Sequence, residues 1–297
     1  MSCSVFTGVE VYFLLLKGEV RVEYLQRVWL EMPMANVNGI NIDYRVEGQG
    51  EPLIMICGAG ADKSSLRYQT RVFKKYFRTV TFDNRGSGKS NKPAGPYTIN
   101  MMADDTIGLL DYLGIEKAHV LGVSAGGMIA QELTIDYPDR VNRLILACTF
   151  ARKDETSGWS KEFDDAIETY VRSSHDKANQ RKLVNVIMDL QVNKWSYRVF
   201  LLPLVKIFIR FMPTSPSVDA QFVAVGTHDT ADRLWTIRAP TLVITGTDDR
   251  LINPVSSELI ASLVPGAKLI KVLGGGHSFP MEMSREFNRE VLAFLRT

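Results

Sequence analysis

The strongest chemical signal in the chain is the stretch Gly122-Val123-Ser124-Ala125-Gly126. It follows an apolar, strand-like run from Ala118 to Leu121. It leads into Gly127-Met128-Ile129-Ala130-Gln131-Glu132-Leu133, which reads as a helix. A G-x-S-x-G at a strand-to-helix junction turns so sharply that the serine hydroxyl stands clear of the sheet. Glycines two residues either side let strand and helix pass without Cβ clashes. The helix N-terminus then points at the place where an oxyanion forms. The chemistry this suits is nucleophilic attack by Ser124 on an acyl carbon; the alternative is a small-residue turn with no chemistry.

A serine nucleophile needs a base within reach and a third group that orients the base. Two later segments offer them. Pro240-Thr241-Leu242-Val243-Ile244-Thr245 is apolar and β-branched, as a buried parallel strand is. It ends in Gly246-Thr247-Asp248-Asp249-Arg250, a turn at the carboxyl end of a strand, where open α/β sheets place catalytic groups. Asp248 and Asp249 both qualify there, or both are loop carboxylates capping the helix that starts near Asn253-Pro254. Further on, the partly exposed strand pattern from Ala267 to Leu273 precedes Gly274-Gly275-Gly276-His277-Ser278-Phe279. A histidine on a run of glycines can approach a serine closely. The chain has 4 histidines in all. His119, just ahead of the strand that leads to Ser124, reads as structural, and His175, in a polar helical stretch, as solvated. His228, in Gly226-Thr227-His228-Asp229, could line a cleft.

These segments, with Asp83-Asn84-Arg85-Gly86-Ser87-Gly88-Lys89-Ser90 after a strand at Thr79 to Phe82, resemble the α/β-hydrolase fold family. Within it the chain is similar to the lid-bearing group of serine esterases, enol-lactonases and carbon–carbon hydrolases. The likeness runs from about Met34 to Thr297. It implies a mostly parallel eight-stranded sheet flanked by helices, with a helical cap insertion. It implies the chain order Ser, then Asp or Glu, then His. On that order His277 is the base, because it is the only histidine after the acid strand, and the family spacing G-x-x-D selects Asp249 over Asp248. The oxyanion hole needs two converging backbone N–H groups. The resemblance assigns one to Ala125 and the other to Ala59, in Cys57-Gly58-Ala59-Gly60 after the strand Leu53-Ile54-Met55-Ile56. Most relatives carry His-Gly where this chain has Cys57-Gly58. A backbone donor survives that change, although a side chain that often braces the loop is lost. The Asp83 to Ser90 segment reads as structural, its charged residues tying neighbouring loops.

Composition sets bounds. With 297 residues, 45% hydrophobic and 23% charged, the chain can bury a large core. A net charge of +2 gives no sign of nucleic acid or of an acidic substrate. Cys3, Cys57 and Cys148 are too few and too far apart for a disulfide framework. Reduced thiols in the cytoplasm are expected. No zinc spacing, dinucleotide fingerprint or P-loop occurs, so no metal and no cofactor is expected.

The expected organisation is an N-terminal extension over 1–33, a hydrolase core over 34–150 and 233–297, and a helical cap over 151–232. In the extension, Val11 to Leu16 is too short to span a bilayer, and the flanks make a poor signal peptide. The extension reads either as a segment that covers apolar surface, with a homodimer as one way to do so, or as one of no consequence. Helical patterns run over Lys161 to Arg172 and Asn179 to Leu190. An apolar run from Val199 to Met212, broken by Pro203, Lys206 and Arg210, excludes stable membrane insertion. It suits a pocket wall, a surface that meets lipid, or packing of the cap.

The expected activity is hydrolysis of small-molecule carboxylic esters with small to medium apolar acyl groups. Enol-lactone opening or carbon–carbon cleavage is a second reading, and it calls for cations on the cap side, for which Lys194, Arg198, Lys206 and Arg210 are available. Cofactor-free haloperoxidase or perhydrolase activity uses the same three residues. A non-catalytic receptor on this scaffold is a third class.

Overall fold

A computed structural model of the chain describes residues 33–172, 176–192 and 216–297. The N-terminal segment, His175 and the Val199 to Met212 run, with Lys194, Arg198, Lys206 and Arg210, therefore lie outside the described residues.

The first described element is a hairpin. Strands β1 (Met34–Val37) and β2 (Ile40–Glu47) are joined by Asn38 and Gly39 with φ of +49° and +78°. Positive φ at both central positions is what a type I′ turn demands, and Asn-Gly supplies it. Strand β3 (Pro52–Ile56) follows, then helix α1 (Arg67–Phe73), strand β4 (Arg78–Phe82) and helix α2 (Ile99–Tyr112). Strand β5 (Ala118–Val123) runs into helix α3 (Ala125–Asp136), and β6 (Val141–Ala147) comes next. Helices α4 (Lys161–Arg172), α5 (Lys177–Gln191) and α6 (Pro216–Gly226) lie in the long β6–β7 insertion. Strand β7 (Thr241–Gly246), helix α7 (Val255–Leu263), strand β8 (Lys268–Val272) and helices α8 (Phe279–Glu282) and α9 (Ser284–Leu295) complete the chain.

The strands form one 8-stranded sheet in the order β1-β2-β4-β3-β5-β6-β7-β8. From β4 to β8 every pairing is parallel, and β2 joins β4 antiparallel. Parallel strands joined by helical crossovers are covered on both faces, so their residues must be apolar on both sides. β3 shows this directly. Ile54 and Ile56 join the apolar cluster under α2 and α3, whereas Leu53 and Met55 join the cluster that holds Phe73 of α1 and Phe287 and Val291 of α9. All four are fully buried. The edge strand β8 has only one buried residue, Val272, which is why its pattern alternates weakly.

The arrangement brings the carboxyl ends of β3, β5, β6, β7 and β8 to one edge. Gly122 of β5 is in register with Ile56 of β3 and Leu146 of β6; Leu146 pairs with Val243 of β7, and Ile244 with Ile270 of β8. The loops bearing Ala59, Ser124, Asp249 and His277 leave from these ends. The Asp83 to Ser90 segment does tie loops together. Asp83 accepts the backbone N–H groups of Lys63 and Lys89, each at 2.8 Å, and the Lys63 ammonium at 3.0 Å. Arg85 grips Asp105 of α2 through two bonds of 2.6 and 2.7 Å.

Candidate active site

Ser124 sits between β5 and α3 with φ +58° and ψ −123°. For a non-glycine residue this conformation costs about 1–3 kcal/mol, and the surroundings must enforce it. Two bonds do so. The Ser124 N–H donates to the Ala147 carbonyl of β6 at 2.9 Å, and its own carbonyl accepts the Gly127 N–H at 2.8 Å. Close approach explains the flanking glycines. A Cβ at Gly122 would lie 2.2 Å from the Gly126 carbonyl oxygen, and one at Gly126 would lie 2.2 Å from that of Ile56. Helix α3 thus crosses the end of β3 backbone to backbone. Ala125 opens α3, so its N–H has no acceptor within the helix.

The histidine loop is delivered by a similar contact. A Cβ at Gly246, the last residue of β7, would lie 2.1 Å from the Gly275 carbonyl oxygen. Three bonds join the two loops: Thr247 N–H to Val272 carbonyl at 2.9 Å, Asp248 N–H to Gly275 carbonyl at 2.9 Å, and Gly274 N–H to Thr247 Oγ1 at 2.9 Å. Gly246→Ala should therefore force the loops apart. The expected cost is at least about 2 kcal/mol, because both partners are backbone and neither can rotate away. Scanning calorimetry should show Tm lowered by several degrees. An unchanged Tm would mean the loops separate freely.

The structure brings His277 and Asp249 together. His277 Nδ1 lies 2.8 Å from Asp249 Oδ2, and the Asp249 side chain is fully buried. Its other oxygen, Oδ1, accepts from the N–H groups of Leu251 at 3.0 Å and Ile252 at 2.9 Å. Asp248 points elsewhere: it is exposed, and its Oδ1 accepts from Thr247 Oγ1 at 2.7 Å. Beside the pair lies a group that sequence reading left out of the site. The Cys148 thiol, the Asp249 carboxylate and a His277 ring nitrogen all lie within 4.8 Å of one another. Cys148 is fully buried with φ +47°. Burial first, and then the negative charge of Asp249, push its thiol well above the usual range. Cys57 is likewise pushed up to about 12 by burial and by Asp83 and Asp62. Raised in this way, neither thiol offers a ready thiolate near neutral pH. A signal for Cys148 lies in the sequence, since it directly follows the strand next to the acid strand.

Ser124 and His277 line one cavity of about 510 Å³, with Gly58, Ala59, Ala125 and Gln69. No hydrogen bond joins the Ser124 hydroxyl to His277 here. Contacts of this kind often tighten only when substrate is bound. Much of the remaining lining is aromatic and aliphatic, including Phe150, Trp159, Phe163, Phe222, Leu183 and Ile187. Phe150, Trp159, Phe163 and Phe222 meet edge to face in sequence, with centroids 6.0, 5.2 and 5.8 Å apart. Such a chain of rings is rigid as well as apolar. Among the described residues that line the cavity there is no Lys or Arg.

Of two other histidines, His228 differs from the cleft reading, and His119 is structural as expected but placed differently. His228 does not line the cleft. It is buried behind Phe150, 3.3 Å from Thr230 Oγ1 and 3.6 Å from Glu132, and burial lowers its pKa to about 3. His119 lies inside β5 rather than ahead of it. It faces Glu51 at 3.2 Å, at the end of the strand away from Ser124.

Among the described residues no helix is long and apolar enough to cross a membrane. The family model described as alpha/beta hydrolase fold matches residues 51–283. A candidate carbamate hydrolase, RutD, of Azorhizobium caulinodans is 28% identical over 265 residues, which cover 89% of this chain and 98% of that one. The 3-oxoadipate enol-lactonase 2 of Acinetobacter baylyi is 26% identical over 264 residues, 86% of this chain and 94% of that one. Among solved structures, the enol-lactonase of Burkholderia xenovorans superposes with a TM-score of 0.78 at 28% identity, covering 89% of this chain and 100% of that one. A thermophilic esterase of Thermogutta terrifontis does so with a TM-score of 0.75 at 25% identity, covering 90% and 98%.

Proposed function

The chain belongs to the α/β-hydrolase fold family, and from that premise we propose that it is a serine hydrolase of carboxylic esters with small to medium apolar acyl groups. The observation that carries this reading is one cavity lined by both Ser124 and an Asp249-bound His277 and walled by aromatic side chains. His277 takes the Ser124 proton as the oxygen attacks the ester carbonyl. Asp249, holding Nδ1, keeps the proton-accepting nitrogen turned toward serine and stabilises the imidazolium that forms. The N–H groups of Ala59 and Ala125 receive the tetrahedral oxyanion. His277 then protonates the departing alcohol. In the second half it activates a water molecule that frees the acyl group. The β6–β7 insertion serves as the cap, and its inner face is the acyl wall.

An acyl chain lying on that wall gains roughly 0.8 kcal/mol per buried CH₂, about fourfold in kcat/KM. Across p-nitrophenyl esters, efficiency should therefore climb from acetyl toward hexanoyl and fall once the cavity is full. Phe222→Ala or Phe163→Ala should move the optimum to longer chains. A flat profile, unchanged in both variants, refutes the acyl-wall assignment.

The relatives named enol-lactonases support a second reading, lactone opening by the same three residues. The aromatic wall of Phe150, Trp159, Phe163 and Phe222 favours an apolar acyl group. Stronger turnover of a carboxylate-bearing lactone than of every simple ester would reverse that order.

A further inference from the structure

The turn that carries Ala59 is held from outside itself. Gly58 to Ala61 closes through one backbone bond, Ala61 N–H to Gly58 carbonyl at 3.3 Å. Its third residue, Gly60, has φ +69°, at the position where a type II turn needs glycine. A surface turn closed by one long backbone bond and a weak thiol bond, Cys57 Sγ to the Ala61 carbonyl at 3.4 Å, is a soft support for a donor that must meet an oxyanion at 2.7–3.1 Å. The next amide along is pinned. Gly60 N–H donates to Gln221 Oε1 at 2.7 Å.

Gln221 belongs to α6, within the β6–β7 insertion, and is 2% exposed. Its Nε2 donates to the Arg85 carbonyl at 2.5 Å and to Ser87 Oγ at 3.0 Å. A carbonyl accepts only from the NH₂ end, so the amide cannot be flipped, and Oε1 must face Gly60. Arg85 is fixed in turn by its paired bonds to Asp105 of α2. The line from Gly60 through Gln221 to Arg85 and Asp105 thus ends on a core helix. Packing follows the same path. Val218, one turn from Gln221 on α6, has its Cγ1 3.5 Å from where a Gly60 Cβ would stand. Val218 and Ala59 both line the cavity.

A buried glutamine needs partners wherever it lies, and these bonds satisfy it. What sets this one apart is its reach. It comes from the element that walls the acyl cavity and grips the residue next to the Ala59 donor. We propose that Gln221 is a positioning residue, aligning the Ala59 N–H only while α6 is docked, so that seating of the cap completes the oxyanion hole. The proposal rests on the serine-hydrolase reading above.

The test replaces Gln221 with Met, which keeps the length and removes both polar ends. Turnover should fall by about 10- to 100-fold, the range expected when a donor is kept but allowed to wander. KM should change by less than about threefold, because the anchor acts on the transition state. The loss should be the same for acetyl and hexanoyl esters. Affinity for an alkyl boronic acid, which forms a tetrahedral adduct on serine, should fall by a similar factor. A folded variant with lowered Tm but with wild-type kcat and boronate affinity overturns the proposal, since a purely structural residue predicts that result. Amide hydrogen exchange provides the second measurement. The exposed Gly60 should exchange slowly in the wild-type protein and at least about tenfold faster in the variant. Fast exchange of Gly60 in the folded wild type removes the anchor, even if the variant does not fold. If Ser124→Ala kept its activity, the hydrolase reading would fall while the exchange result still decided whether the anchor exists.

Discussion

Ser124→Ala should abolish ester turnover and leave the fold intact. The expected loss is at least about 10⁴-fold in kcat, since the covalent step loses its nucleophile. Cys57 and Cys148 are held protonated by burial. The structural cost should be small. Removing one oxygen creates no cavity of note, and the bonds to Ala147 and Gly127 are made by backbone atoms that alanine keeps. Far-UV circular dichroism and Tm should match the wild type, and a rapid-quench experiment should show no burst of released p-nitrophenol. A folded variant that keeps a tenth of wild-type activity would sink the serine mechanism.

Much of this architecture can be read in the chain because the physics that builds it is local. An Asn-Gly pair between two short alternating runs yields a type I′ hairpin at Asn38-Gly39. Runs such as Leu53 to Ile56 are apolar on both faces because helices cover both faces. Helix α4 has the bounds its pattern implies, Lys161 to Arg172, because one face of it is buried against the rest of the insertion and the other is charged. Helix α6 is different. Buried residues Ser217, Gln221, Ala224 and Val225 include two polar ones, so no clean apolar stripe marks it. The contacts of Gln221 to Gly60, Arg85 and Ser87 join residues more than a hundred positions apart. No periodicity carries that information.

The same limit explains the histidines. Chain order within the family isolates His277, but no local signal tells a cleft histidine from a buried one. His228 sits beside glycine and polar residues, like a loop histidine, yet the fold places it behind Phe150. His119 is polar within an apolar strand, and its long-range partners Glu51 and Phe77 account for it. Cys148 illustrates the converse. Its strand was legible and its neighbour strand was legible, but contact with Asp249 depends on a φ of +47° that turns the chain at the end of β6. Backbone angles of this kind, like that of Ser124, are imposed by tertiary bonds rather than by residue preference.

The two adjacent aspartates provide the sharpest separation between a positioning carboxylate and a loop one. Asp249→Asn should lower kcat by about 10³- to 10⁴-fold in a protein that remains folded. The bonds around the side chain fix which way the new amide turns. Oδ1 of Asp249 is held by two N–H donors, those of Leu251 and Ile252. An amide NH₂ there would face two donors, so the carbonyl oxygen must take that side and the NH₂ must face His277 Nδ1. Nδ1 then becomes an acceptor and the ring proton moves to Nε2, the nitrogen that should receive the serine proton. The base is lost through its tautomer, with no gross rearrangement. Asp248→Asn meets none of this. Its side chain is exposed, its Oδ1 meets a hydroxyl that can turn to suit an amide, and its bond to Gly275 is made by its backbone N–H. A change of less than about threefold is expected there. Steady-state kinetics on the same p-nitrophenyl ester, with Tm as the check on folding, compares the two variants directly. Equal losses, or a larger loss at Asp248, would move the acid role away from Asp249 and leave the assignment of Ser124 untouched.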